Sequence, residues 1–205
     1  MPKVKIKRKS TVTDMTAMCD VAFLLLTFFI LTATARQPEA LKVDTPSSTV
    51  TMKLPDTDIS TLTVGQGKIF FGVVGQDVRM NTLERMGEQY NITFTPEEKK
   101  RFGVIESFGV PMASLKQFIA LDNSERMKLN QPGIPSDSGA NNELKQWILQ
   151  ARYAVKELHN KDLRFSIKGD ANEEYPEIRK VIDILQDQNI NKFSLITSLE
   201  GGDSK

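Results

Sequence analysis

Asp14-Met15-Thr16-Ala17-Met18-Cys19-Asp20, running on through Val21-Ala22-Phe23-Leu24-Leu25-Leu26-Thr27-Phe28-Phe29-Ile30-Leu31 to Arg36, decides the architecture. From Val21 to Ala35 it carries no charge. With Met15 to Cys19 added, the run reaches roughly 20 residues, about 30 Å of helix, which is one bilayer crossing. The one charge inside that span is Asp20. A carboxylate within a membrane helix costs at least ~2.5 kcal/mol, so it marks a functional position.

Asp20 has company on its side of the helix. Seven residues make nearly two turns, so Thr16, Asp20, Thr27 and Thr34 fall in a narrow stripe. Phe23, Leu24 and Leu31 lie between them, and Leu and Phe cover the opposite surface. The stripe reads as a polar pathway, or a face toward a partner. The competing reading is that the threonines bond back to their own helix carbonyls. Asp14 lies about six residues, roughly 9 Å, nearer the cytoplasmic interface. With Thr13 it suits a helix cap, and it is the secondary candidate for a functional carboxylate.

Lys3, Lys5, Lys7, Arg8 and Lys9 precede the apolar run, and Ala33-Thr34-Ala35 follows it. That order is also the order of a secretory signal. Against cleavage, the basic region is long and the apolar run starts directly at an aspartate. Cys19 precedes that run, which excludes the lipoprotein arrangement. The expectation is an uncleaved anchor. By the positive-inside rule its N-terminus is cytoplasmic and everything after Arg36 lies across the membrane.

The 205 residues leave room for one modest domain beyond this anchor. The net charge of +1 gives no reason to expect nucleic acid. A single cysteine at membrane depth excludes an intrachain disulfide, and a single histidine, His159, excludes zinc sites built on His pairs. His159 falls near the end of an expected surface helix, which disfavours a nucleophile–His–acid triad. No nucleotide-binding loop or metal cluster is present in the sequence, so neither a cofactor nor enzymatic activity is expected.

Residues 1–13 form the basic tail, 14–36 the membrane helix and 37–57 a linker punctuated by Pro38, Pro46 and Pro55. Around Leu41 and Val43 the linker alternates, so it either pairs as a short edge strand or runs as a plain tether. Ile59 to Val64 and Lys68 to Val73 read as a hairpin turned at Gly65-Gln66-Gly67. Residues 75–142 read as a helical insertion. It has helices over Val78 to Tyr90, after the Thr95-Pro96-Glu97-Glu98 start signal and from Pro111, then a loop from Met127. Read as an elaboration on a complete domain, this stretch should be removable. Asn142 to Asn160 is an amphipathic helix with Leu144, Trp147, Ile148, Ala151, Val155 and Leu158 on its inner face. A strand over Leu163 to Lys168, a helix from Pro176 and a last strand over Lys192 to Thr197 complete a domain spanning 58–199. Residues 200–205 are a polar tail.

The run Asp20 to Phe29, with Val43-Asp44-Thr45-Pro46 beyond it, resembles the ExbD/TolR family of biopolymer-transport proteins. The hairpin and the terminal β-α-β unit, with Tyr175 opening its helix and Thr197 ending its last strand, extend the resemblance. It covers residues 1–74 and 142–199, and the insertion has no counterpart in it. Two positions depart from the family pattern: Ala17 stands where a proline is common, and Asp14 where a polar neutral residue is usual.

The resemblance implies a single transmembrane helix plus a small periplasmic α+β domain, a mixed sheet with helices on one face, carrying the insertion. It implies a bacterial inner-membrane location. It implies that Asp20 is the proton carrier of a motor driven by the proton motive force. The partners it implies are a second copy of the chain, ExbB/TolQ-like ring subunits, and a TonB- or TolA-like transducer. Two other readings compete. Asp14-Met15-Thr16-Ala17-Met18 is similar to the aspartate region of flagellar-stator B subunits, which would make Asp14 the carrier. In a membrane-anchored scaffold, Asp20 would only fix helix pairing.

Overall fold

The computed structural model describes residues 15–33, 40–41, 43–48, 57–136, 142–171, 175–196 and 198–199. The expectations for the basic tail, Thr13, Asp14, Thr34, Thr197 and the polar tail lie outside those residues. The chain divides into two compact units, Met1–Gln37 and Pro38–Lys205.

The first unit holds α1, Met15–Thr32. Eighteen residues make about 27 Å of helix, and no glycine or proline interrupts them. None of its side chains is buried.

The second unit begins with a short strand, β1 (Ser47–Ser48), then the hairpin of β2 (Ile59–Gly65) and β3 (Lys68–Val73). Its turn is tight because Gln66 and Gly67 both take positive φ, 56° and 66°. A two-residue turn of that hand matches the right-handed twist of the strands it joins. Next come α2 (Gln76–Tyr90), α3 (Pro96–Val104), β4 (Ser107–Phe108), α4 (Met112–Ala120) and α5 (Asn123–Lys128). The α3 start signal is realised as a capping box. The Glu98 amide donates to Thr95 Oγ1 at 3.3 Å, and the Thr95 amide to Glu98 Oε2 at 2.8 Å. α5 occupies part of the stretch expected to be loop. The last elements are α6 (Glu143–His159), β5 (Arg164–Gly169), α7 (Tyr175–Asp187), β6 (Phe193–Ile196) and β7 (Ser198–Leu199). Asn142 caps α6 by accepting from the Lys145 amide at 2.9 Å.

Five strands form one mixed sheet in the order β4-β3-β2-β5-β6. The β2–β3 and β3–β4 pairs are antiparallel, and the β2–β5 and β5–β6 pairs parallel. Leu62, Val64, Ile69, Phe71, Phe165 and Ile167 turn inward to the helices. Leu158, expected inside, is 43% exposed, because α6 is leaving the core by that turn.

The stretch 75–142 is helical as expected, but it does not build a core of its own. Eleven of the 29 side chains in the single apolar core come from its described residues. At the centre lies Trp147 of α6, fully buried. Phe108 of β4 packs edge-on to it with ring centroids 4.9 Å apart, and Phe102 of α3 stacks on it at 6.0 Å. Phe71 of the hairpin completes the cluster at 6.1 Å. The stretch thus shares the core with the rest of the domain: two of the three rings packed on Trp147, Phe102 and Phe108, come from it.

The linker is also more than a tether where it is described. β1 pairs with β7 in parallel, Ser47 opposite Ser198. The Ala171 amide donates to the Asp44 carbonyl at 2.7 Å. Leu41 and Val43 lie against Gly65, on the side of β2 opposite Leu62 and Val64. A Cβ on Gly65 would sit 2.8 Å from Val43 Cγ1 and 2.9 Å from Leu41 Cδ2. Gly65→Val should push this segment off the sheet and cost about 1–3 kcal/mol. Amide exchange over residues 40–48, read beside a denaturant melt, checks it. Unchanged protection there would mean that the contact does not hold the linker down.

Candidate functional site

Within α1, Asp20 lies about 7.5 Å along the axis from Met15 and about 18 Å from Thr32. It is the only ionisable carboxylate of the helix, and it is exposed. Around it Phe23 is 66% exposed and Leu31 85%. A helix this apolar, with none of its side chains buried among the described residues, calls for lipid or other protein around it. α1 is the one helix among the described residues long and apolar enough to cross a membrane.

Thr16 and Thr27 lie on the Asp20 side of α1, within about 40° by helical spacing. The Thr27 hydroxyl donates to its own helix, to the Leu24 carbonyl at 2.9 Å. Thr32, on the far side, does the same toward Phe28 at 2.8 Å. Back-bonding is thus common to both sides, and the stripe is distinguished by Asp20 rather than by free hydroxyls. What Thr27 presents to a partner is its oxygen lone pairs, which suit a donor or a water. Cys19, beside Asp20, is a free exposed thiol.

The second unit carries a broad open groove of about 1390 Å³ between α6 and the starts of β5 and β6. It holds Arg152, Lys156, Lys161, Arg164 and Lys192. Three of those cations are already engaged within the chain. Lys156 pairs with Asp162 at 3.6 Å, Lys161 with Asp58 at 3.2 Å, and Arg152 donates to the Gln188 carbonyl at 3.2 Å. Among the described residues no group of three or more His, Cys, Asp or Glu side chains could hold a metal ion.

One polar cluster was not legible in the sequence. His159, at the last residue of α6, lies between two aspartates 101 and 82 residues away in sequence. Its Nδ1 meets Asp58 Oδ1, and its Nε2 meets Asp77 Oδ2 at 3.1 Å. Nothing local in the sequence links Asp58, Asp77 and His159. The only available sign was that the chain has one histidine.

A family model described as Biopolymer transport protein ExbD/TolR matches residues 7–200. That span includes α1 with Asp20, and it runs across residues 75–142, which the resemblance read from motifs left out. No curated protein and no solved structure matches the chain.

Proposed function

The chain belongs to the ExbD/TolR family of biopolymer transport proteins, and from that premise we propose that it is the proton-carrying subunit of a membrane motor. The observation that carries this reading is Asp20, the one carboxylate in a long, predominantly apolar helix none of whose side chains is buried among the described residues. In this reading residues 1–13 are cytoplasmic, 14–36 cross the bacterial inner membrane once, and 37–57 link to a periplasmic domain over 58–199.

Two copies sit inside a ring of ExbB/TolQ-like polytopic subunits. Each Asp20 meets an aqueous path from one side, takes a proton, and turns as a neutral side chain toward the other. Neutralisation removes the cost of exposing a carboxylate to hydrocarbon. The membrane potential supplies ~2.3 kcal/mol per charge per 100 mV. Thr16, Thr27 and Thr34, on Asp20's side by helical spacing, are the polar pathway of this reading, with Thr27 offering oxygen lone pairs to water that reaches Asp20. The soluble domain passes the motion to a TonB- or TolA-like transducer, with no covalent reaction of its own.

The test is proton flux. The chain is reconstituted in liposomes with its ring-forming partner, and an imposed pH gradient is followed with an entrapped dye. The complex should dissipate the gradient faster than either component alone. Equal rates would leave the chain a scaffold, with Asp20 holding helices together.

A further inference from the structure

Both ring nitrogens of His159 face carboxylate oxygens, and carboxylates only accept hydrogen bonds. A neutral imidazole carries one N–H, so it can donate to one of these oxygens while its other nitrogen opposes a second lone pair. Only the doubly protonated ring satisfies both contacts. The two acceptors belong to different elements: Asp58 stands just before β2, and Asp77 lies in the first turn of α2.

We propose that His159 is a proton-operated clamp that, when charged, ties the end of α6 to the start of β2 and to the first turn of α2, and that releases α2 when it loses a proton. The tie to Asp58 is the one that persists. Asp58 is buried, at 7% exposure, and its backbone is held in place. Its carbonyl accepts from the Arg164 amide at 2.9 Å, and its φ of 57° is a conformation aspartate tolerates. Its other oxygen is bound by Lys161 Nζ at 3.2 Å and by the Thr57 hydroxyl at 3.3 Å. The Asp77 side chain is 54% exposed and can turn to water.

The other charges near the site are engaged elsewhere. On α6, Lys156 pairs with Asp162 at 3.6 Å and Glu157 with Arg85. On α2, Arg79 donates to the Gly75 and Ile105 carbonyls at 3.2 and 3.0 Å. The C-terminal end of α6 also favours a cation at His159.

The charge balance gives the direction of the switch. The hydrogen bonds to Asp58 and then Asp77 raise the pKa of His159. A raised histidine contributes stability that is fully present below its ordinary value of about 6.5 and is lost as pH rises through its own higher value. At the acid end, the His159 bond, opposed by burial, holds Asp58 below its ordinary value. Asp77 is also lowered: burial pushes it up, but the Val78 amide and His159 outweigh that. The clamp therefore opens on the acid side only once pH falls below the ordinary carboxylate range, and it is closed between the two limits.

The clamp holds whether or not Asp20 carries protons, and its test is independent of flux. The full chain, bearing no added histidine, is studied by ¹⁵N NMR in detergent micelles, where its single imidazole gives an unambiguous signal. Both ring nitrogens should be protonated at pH 6, with a titration midpoint above the ordinary value. Asp77→Asn should bring the midpoint down. Protection factors of residues 79–83, whose amides are the first to bond within α2, should fall about tenfold as pH passes the midpoint, as for a local opening. His159→Gln should show the lowered protection at every pH. A midpoint at or below the ordinary value, or protection of residues 79–83 that does not follow it, would overturn the clamp. If His159→Gln does not fold, the wild-type titration and Asp77→Asn decide alone.

Discussion

Asp20→Asn should reduce proton flux through the reconstituted complex by at least about 100-fold, the scale of losing a positioned proton-transfer group. Asparagine keeps the size and most of the hydrogen bonding of aspartate but cannot ionise. Membrane insertion should be unharmed or easier, since the cost of placing a carboxylate in the helix disappears. Assembly with the ring partner should survive, because asparagine leaves every other side chain of α1 untouched. The loss would then lie in proton transfer alone.

Neighbouring substitutions calibrate that result. Asp20→Glu should keep part of the flux at most, because its longer arm moves the carboxylate by about an ångström where placement matters. Asp14→Asn should stay within about threefold of wild type, since asparagine caps a helix nearly as well as aspartate. Thr27→Val should fall between, because it removes the oxygen on the Asp20 side. The decisive comparison is Asp20→Asn against Asp14→Asn at equal protein level. A dead Asp14→Asn beside an active Asp20→Asn would move the carrier to Asp14 and favour a stator-like subunit. Full flux in both would mean that the chain does not carry the proton.

Replacing residues 75–141 with a Gly/Ser connector should abolish cooperative unfolding of the second unit. The deletion also removes the entropy cost of ordering that segment, so the relevant loss is what happens to the side chains left behind. Trp147, Phe71 and Ile148 would be stripped of Phe102, Phe108 and the α2 side chains Leu83 and Met86. Re-exposing each such side chain costs about 1.5–3 kcal/mol, and a few of them match the whole 5–15 kcal/mol of a typical domain. β3 would also lose β4 as its neighbour. A denaturant melt followed by Trp147 fluorescence is the measurement. Met127→Gln, on the 59% exposed face of α5, is the control and should change stability by less than about 0.5 kcal/mol. A sharp transition in the deletion variant would show that the remaining hairpin, α6 and β-α-β unit are self-sufficient.

Some of this protein was written locally in its sequence. The long helix α1 followed from its apolar run, and Asp20 stood out because a charge there has no structural excuse. The hairpin followed from Gly65-Gln66-Gly67 between two β-branched and aromatic runs, and the α3 and α6 starts from Thr95 and Asn142. Those signals act over a few residues, where backbone conformation and capping are decided. Three features were decided only by tertiary structure. An apolar stripe shows that a helix in 75–142 is covered, but not by what. Whether Phe102 and Phe108 pack on one another or on Trp147 depends on partners across the chain. The docking of Leu41 and Val43 depends on the bare backbone of Gly65, and the β1–β7 pair on a strand about 150 residues away. The His159 clamp needs Asp58, Asp77 and the end of α6 within hydrogen-bond reach, and only the closing of the core around Trp147 brings them together.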